Sequence, residues 1–252
     1  GKKDFKAALK SYKELYGHKE NLNFDKMRKR LGNPPEMYYQ LLLKNISDSY
    51  RSFSNLCLAQ VLLTEGGEEE EDIEDLERET GLSAKTIRDI YNAWIQSLIV
   101  KDIAIFPEIR DSVRASILPF DKSGFGMDEK DKMPAYLVGL LKKNKISEEN
   151  IKFITNKFIL RFTKVGDDPE RGHNRRYILP SLLTLKSHEY GVWYRCDKCA
   201  GTSTFTLFDS CIYCGSDGKY VRKLTNDDLK RYDFWRKPVI DTLKGEKIKN
   251  VI

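Results

Sequence analysis

The sequence predicts an α+β chain, mainly α, in which a three-helix platform carrying a β-hairpin precedes a small β-module stapled by a metal ion. Three observations predict it: apolar residues at three- and four-residue spacing between Ile73 and Leu98, two Cys-x-x-Cys pairs at Cys196/Cys199 and Cys211/Cys214, and a β-forming run between those pairs. With 252 residues, 40% hydrophobic and 33% charged, and a mean hydropathy of −0.55, the chain has room for one or two domains with a buried core. No run approaches the ~18 apolar residues of a membrane span. The opening Gly1-Lys2-Lys3-Asp4 leads into neither a signal core nor a transit helix, so a cytoplasmic protein is expected. A start on Gly rather than Met is expected of a piece cut from a longer chain.

Four regions follow in order. Residues 1–49 are an N-terminal helical segment: Phe5, Leu9, Tyr12, Leu15 and Tyr16 recur at helical spacing, Lys26 to Arg30 is a basic cluster, and a second helix starts at Met37 after Pro34-Pro35. Residues 50–120 form the platform. Its first helix spans Tyr50 to Leu63, with Cys57 an inert buried thiol, and Ile73 and Leu76 mark a second. Gly81 supplies a sharp turn, and Ser83 caps a third helix that keeps Ile87, Ile90, Tyr91, Trp94 and Leu98 on one face. Strands at Ile99 to Phe106 and Ser112 to Leu118 add a wing, and three helices with a hairpin make a winged helix.

Residues 121–177 are a helical and linker region. Pro119 to Met133 is an exposed loop, Ala135 to Leu141 a helix, Ser147 the cap of another, and Phe158 to Phe162 a strand. Gly166 to Arg176 has no apolar residue and carries Arg171, His173, Arg175 and Arg176, a mobile basic loop suited to phosphate. Residues 178–252 begin with an apolar strand, Ile178 to Leu185, and contain the cysteine pairs.

Net charge is +6, but ten acidic residues and one basic one fall between Glu65 and Glu79, which leaves the remainder at +15. A basic body with an acidic block is the pattern of a nucleic-acid binder, and equally of solvated helix faces with no specific role. The acidic run is expected to be a solvated loop leading into a helix. On the third helix, Lys85, Arg88, Asp89 and Asn92 occupy the positions that would face a DNA groove, although Asp89 and the acidic run both repel phosphate.

Four of the five cysteines fall in Cys196-Asp-Lys-Cys199 and Cys211-Ile-Tyr-Cys214, eleven residues apart. That spacing lets four thiolates surround one ion, and the small residues Ala200-Gly201 and Gly215 ease the turn after each second cysteine. A redox dithiol usually comes singly near a βαβ unit, and paired disulfides need an oxidising compartment. One structural Zn2+ ion in a zinc ribbon is the expectation: with every ligand position filled by sulfur, no site stays open for a reactive water.

No P-loop pattern occurs, and His18, His173 and His188 stand at no triad or ligand spacing. His173-Asn174 ahead of the cysteine pairs is similar to zinc-stapled HNH nucleases, but their second metal-binding histidine has no counterpart. Independent catalysis is not expected.

The stretch Gly191-Val-Trp193-Tyr-Arg-Cys196-Asp-Lys-Cys199, then Cys211-Ile-Tyr-Cys214-Gly, then Tyr232-Asp-Phe-Trp235-Arg236-Lys-Pro238, resembles a segment near the C-terminus of large DEAD/DEAH-type superfamily-two helicases of the DNA-repair and phage-defence kind, such as those of Druantia and DISARM. In such proteins two motor domains are followed by a winged helix and a cysteine-rich zinc module. The resemblance implies a non-motor accessory region that holds single-stranded or forked DNA with low specificity, beside motor domains or another subunit. Only the four cysteines carry over residue by residue. Phosphate contacts are expected from Lys85, Arg88, Asn92, Arg171, Arg175, Arg176 and Lys198. The alternative expectation is a winged-helix/zinc-ribbon transcription regulator or protein-interaction adaptor.

Overall fold

The computed structural model describes residues 36–48, 51–66, 69–107, 109, 112, 114–115, 126–127, 133–166, 175–188 and 191–243. The helix and basic cluster expected before Pro34 lie outside the described residues, as do Arg171 and His173. The chain is α+β. In order it forms α1 (Glu36–Ser47), β1 (Ala59–Leu63), α2 (Glu69–Thr80), α3 (Ala84–Ser97), α4 (Ala135–Lys143), α5 (Glu148–Phe162), β2 (Thr163–Val165), β3 (Arg176–Ile178), β4 (Leu183–Ser187), β5 (Tyr194–Cys196), β6 (Thr202–Ser203), β7 (Val221–Lys223), α6 (Asn226–Lys230) and α7 (Asp233–Leu243).

The α2-turn-α3 unit forms as its spacing predicts. Gly81 takes φ +69°, a left-handed turn open to glycine, and its N–H returns to the Glu77 carbonyl at 2.9 Å. The Ser83 hydroxyl then accepts from Thr86 N at 3.2 Å and caps α3. Ile87, Ile90, Tyr91 and Trp94 of α3 are buried, and α5 meets them with a second aromatic set. Trp94 stacks on Phe158 at 4.2 Å, Tyr91 lies 4.9 Å from Phe162, and the Tyr91 hydroxyl donates to the Ile154 carbonyl at 3.0 Å. Fully burying a side chain of this size contributes roughly 1.5–3 kcal/mol, so these rings are a principal support of the core.

Several expected elements change type. Tyr50 to Leu63 is not a helix: residues 51–58 turn, and 59–63 are β1. Ser52 and Asp48 side chains accept from the Asn55 and Arg51 N–H groups, which diverts the backbone from helical bonding, and Cys57 sits at φ +53°. Val61 then pairs with Leu185 in an antiparallel β1–β4 ladder running from Ala59↔Ser187 to Leu63↔Leu183. A continuous apolar run does not distinguish helix from strand until its partner is known.

The expected wing strands are also different. Leu98–Asp102 extends α3 as a wide π turn, and Ile103 to Ile105 follow as buried irregular chain. Arg114, fully buried and in helical conformation rather than on a strand, directs its guanidinium at the carbonyls of Ile103, Ile105 (2.8 Å), Phe106 (2.5 Å) and Ile109 (3.3 Å), and β3 touches the same segment through the parallel bridge Ile105↔Ile178 and the bond from Ile178 N to the Ala104 carbonyl at 2.8 Å. Phe158 to Phe162 is the last turn of α5, completing the stripe Ile151, Ile154, Phe158, Phe162. The acidic run is itself helical from Glu69 onward, because Ile73 and Leu76 are fully buried and Asp72 is bonded to Lys157 and Arg161 of α5.

Segments expected to lie in separate regions share sheets and hydrogen bonds. Besides β1–β4, there is a β2–β3 hairpin and a three-stranded sheet ordered β6-β5-β7, all antiparallel. Leu207, between the cysteine pairs, and Ile212, inside the second pair, belong to the main apolar core. Among the described residues, no helix is long and apolar enough to cross a membrane.

Candidate metal centre

Each cysteine pair closes the same turn. Ala200 N and Gly215 N both return to the carbonyl of the first cysteine of their pair at 2.9 Å, and both residues adopt positive φ, +59° and +68°. Cys196 N and Cys211 N then bond to Gly201 O and Ser216 O at 3.0 and 2.9 Å. The two turns, the first of which continues from the end of β5, bring all four Sγ atoms within 4.8 Å of one another. Cys196 Sγ lies 3.8 Å from Cys214 Sγ, and Cys199 Sγ 3.6 Å from Cys211 Sγ. A tetrahedral thiolate site with bonds of about 2.3 Å has edges of about 3.8 Å, whereas a disulfide needs about 2.05 Å. The cysteines are unbridged, and their cage has the size one metal ion fills.

The electrostatics suit a cation. Backbone N–H groups point at the sulfurs, as Tyr213 N does at Cys211 Sγ at 3.4 Å. A hydrogen bond with Cys211, opposed by burial, holds Cys199 down at about 5, while that same bond and burial push Cys211 up. The opposite directions of these two shifts show how closely the sulfurs face each other, and a cation between them would favour the thiolate form of both.

Side chains that the sequence did not single out lock this cage to the platform. Gln60 on β1 is buried; its Nε2 donates to Ser203 Oγ at 3.2 Å and its Oε1 accepts from Thr204 N and Oγ1 at 2.8 Å each. The buried Thr202 hydroxyl is 2.7 Å from the Ser54 carbonyl and 3.0 Å from Asn55 Oδ1. Tyr213, inside the second cysteine pair, donates to Thr202 O at 3.0 Å and lies over Gly201, where any Cβ would come within 2.6 Å of its ring. Tyr136 of α4 donates to Ile212 O at 2.9 Å, and Ser216 Oγ is 3.1 Å from Cys214 Sγ. Only the small residues after each cysteine pair had a local signal; the bonds of Gln60, Thr202, Tyr213 and Tyr136 depend on distant partners.

The residues expected to meet phosphate have different fates. Lys85 is 85% exposed and paired with Asp89 at 2.6 Å. Arg88 is only 15% exposed, bonded to Glu70 and to the Thr64 carbonyl, and Asn92 Oδ1 accepts from Leu63 N at 2.8 Å. Arg88 and Asn92 are thus engaged in tying β1 and α2 to α3. Arg176 donates to Thr163 Oγ1 at 2.9 Å and to the Ile159 carbonyl at 3.1 Å, capping the C-terminus of α5. Arg175 is half-buried, with Nη1 3.5 Å from Gly126 O. Lys198 stays exposed, its Nζ 4.1 Å above the Tyr220 ring, and Lys219 Nζ approaches the same ring at 5.1 Å.

In comparisons with protein-family models, curated proteins and solved structures, nothing matches the chain.

Proposed function

We propose that this chain is a nucleic-acid-binding accessory region in which one structural Zn2+ ion, held by Cys196, Cys199, Cys211 and Cys214, fixes a zinc ribbon, and that it serves as the non-motor part of an ATP-dependent DNA helicase. The cage of four sulfurs supports a structural ion, because it offers no position for water or substrate. The ion's chemistry is cross-linking: it ties the two cysteine turns into one rigid edge. The four cysteine thiolates would hold the ion, the backbone N–H groups orient the sulfurs, and Gln60 and Thr202 hold the sheet against the platform.

One observation carries nucleic-acid binding: Lys198 and Lys219 converge on Tyr220 at the exposed edge of this ribbon, with Arg222 and Lys223 exposed on the adjoining strand β7. Cations beside an aromatic ring suit a phosphate backbone with little sequence preference. The helix-turn-helix acts as the packing platform, since Arg88 and Asn92 are already engaged within the fold.

The test is binding of single-stranded, forked and duplex DNA across a salt series. Wild type is expected to bind single-stranded or forked DNA with steep salt dependence, and K198E/K219E to flatten the log–log slope by roughly 1.4–1.8. Duplex-only binding or none would instead favour a regulator or protein adaptor.

A further inference from the structure

Most large apolar side chains are buried, but Phe234 and Trp235 at the start of α7 are 76% and 45% exposed. They are adjacent and form an edge-to-face pair, with ring centroids 4.9 Å apart and planes at 88°. The helix that carries them is anchored from beneath. Arg236 is buried, with its guanidinium 3.4 Å from the Cys57 carbonyl and 3.9 Å from Asp233, and Arg195 of β5 donates to the Tyr232 hydroxyl. The rings are therefore held outward on a fixed support, so little ordering is needed when they meet a ligand.

Cations surround them. The Arg51 guanidinium lies 4.4 Å from the Trp235 ring centroid, and exposed Arg231 and Lys237 flank the pair in the sequence Arg231-Tyr-Asp-Phe-Trp-Arg-Lys237. Asp233, the carboxylate on this turn, is bonded to Lys237 at 3.0 Å and faces Arg236. Size decides between ligand classes. Two rings at these exposures offer on the order of 250 Å², far below the roughly 800 Å² per partner of a specific protein interface. That area matches the faces of one or two unstacked bases.

We infer that Phe234 and Trp235 are a stacking platform for unpaired bases of a single-stranded nucleic acid, with Arg51, Arg231 and Lys237 meeting its phosphates. The site rests on the nucleic-acid binding proposed above and adds the strand form and the contact that selects it: a duplex keeps its base faces covered, so only a single strand can use the rings.

Tryptophan fluorescence gives a direct readout, because Trp94 and Trp193 are buried and Trp235 is the exposed one of the chain's three. Titration with oligothymidylate of about 12 nucleotides is expected to quench that emission, and a duplex of equal length is not. F234A/W235A is expected to keep the wild-type melting temperature and weaken oligothymidylate binding at least about tenfold, in a dye-anisotropy assay that does not depend on tryptophan. W235F is expected to retain most of the affinity while losing the quench. If wild type binds and F234A/W235A binds equally well, the platform is overturned while nucleic-acid binding through Lys198 and Lys219 stands. If wild type binds no oligonucleotide at low salt, both fall. Self-association of wild type that F234A/W235A abolishes, with oligonucleotide affinity unchanged, would also overturn it and mark the rings as a protein contact.

Discussion

Replacing Gln60 by leucine keeps the volume of a buried side chain while removing the amide that joins β1 to the cysteine-bearing sheet. Four hydrogen bonds disappear: Nε2 to Ser203 Oγ, and Ser203 Oγ, Thr204 N and Thr204 Oγ1 to Oε1. A hydrogen bond is worth about 0.5–1.5 kcal/mol net; with the two long contacts to Ser203 at about 0.5 each and the two short ones to Thr204 at about 1–1.5 each, the total is about 3–4 kcal/mol. For a chain near this size that corresponds to a fall in Tm of roughly 6–16 °C. Calorimetry of wild type and Q60L with zinc bound measures it, and a chelator competition on the same samples is expected to show faster metal loss from Q60L, because the sheet that orients the cysteines has lost its anchor. A Q60L protein within about 0.5 kcal/mol of wild type, the range of ordinary surface substitutions, would refute the claim that platform and ribbon stabilise each other through this amide.

Three other outcomes are expected. Cys199→Ser removes one of the four sulfurs of the cage and is expected to lose the ion and the hydrogen-exchange protection of residues from about Val192 to Val221, with α3 and α5 still protected. Phe158→Ala removes a ring stacked on Trp94 and close to both Tyr91 and Phe162, and is expected to cost about 3–5 kcal/mol in urea unfolding. Burial opposes ionisation of Asp72, but hydrogen bonds from Lys157 and Arg161 outweigh it and hold the carboxyl below its ordinary 3.8. A depressed folded-state pKa gives stability that is present above the unfolded value and lost as pH falls through the folded one. Wild type is accordingly expected to lose this contribution below about pH 4. Asp72→Asn is expected to be less stable near neutrality by roughly 1–3 kcal/mol and to lose that part of the acid dependence in pH-resolved urea titrations.

The parts legible in the sequence are those set by neighbours in the chain. A Cys-x-x-Cys turn needs its ligands three residues apart and a small residue after them, so Cys196 to Gly201 and Cys211 to Gly215 announce themselves. The α2-turn-α3 unit is local in the same way: Gly81 permits the turn, Ser83 caps the helix, and the apolar stripe of α3 repeats at the helical period. The parts that were not legible depend on distant partners. Val61 is a strand residue because Leu185 lies opposite it, and Ile103 to Ile105 form no hairpin strand because Arg114 serves the Ile103 and Ile105 carbonyls while Ala104 and Ile105 meet Ile178 of β3. Phe158 to Phe162 resembles a strand in a five-residue window and a helix only when Ile151 and Ile154 are counted with it. The expected phosphate contacts divide along the same line. Arg88, Asn92 and Arg176 were identified by residue type, yet their partners, Glu70, Leu63 and Thr163, come from other elements or other turns of chain.

The zinc K-edge X-ray absorption spectrum of the purified chain tests the metal centre most directly. One zinc per chain, with a single shell of four sulfur neighbours at about 2.3 Å, is the expected result. Nitrogen or oxygen in the first shell, or a folded chain with no bound zinc and its thiols oxidised in pairs, would contradict it.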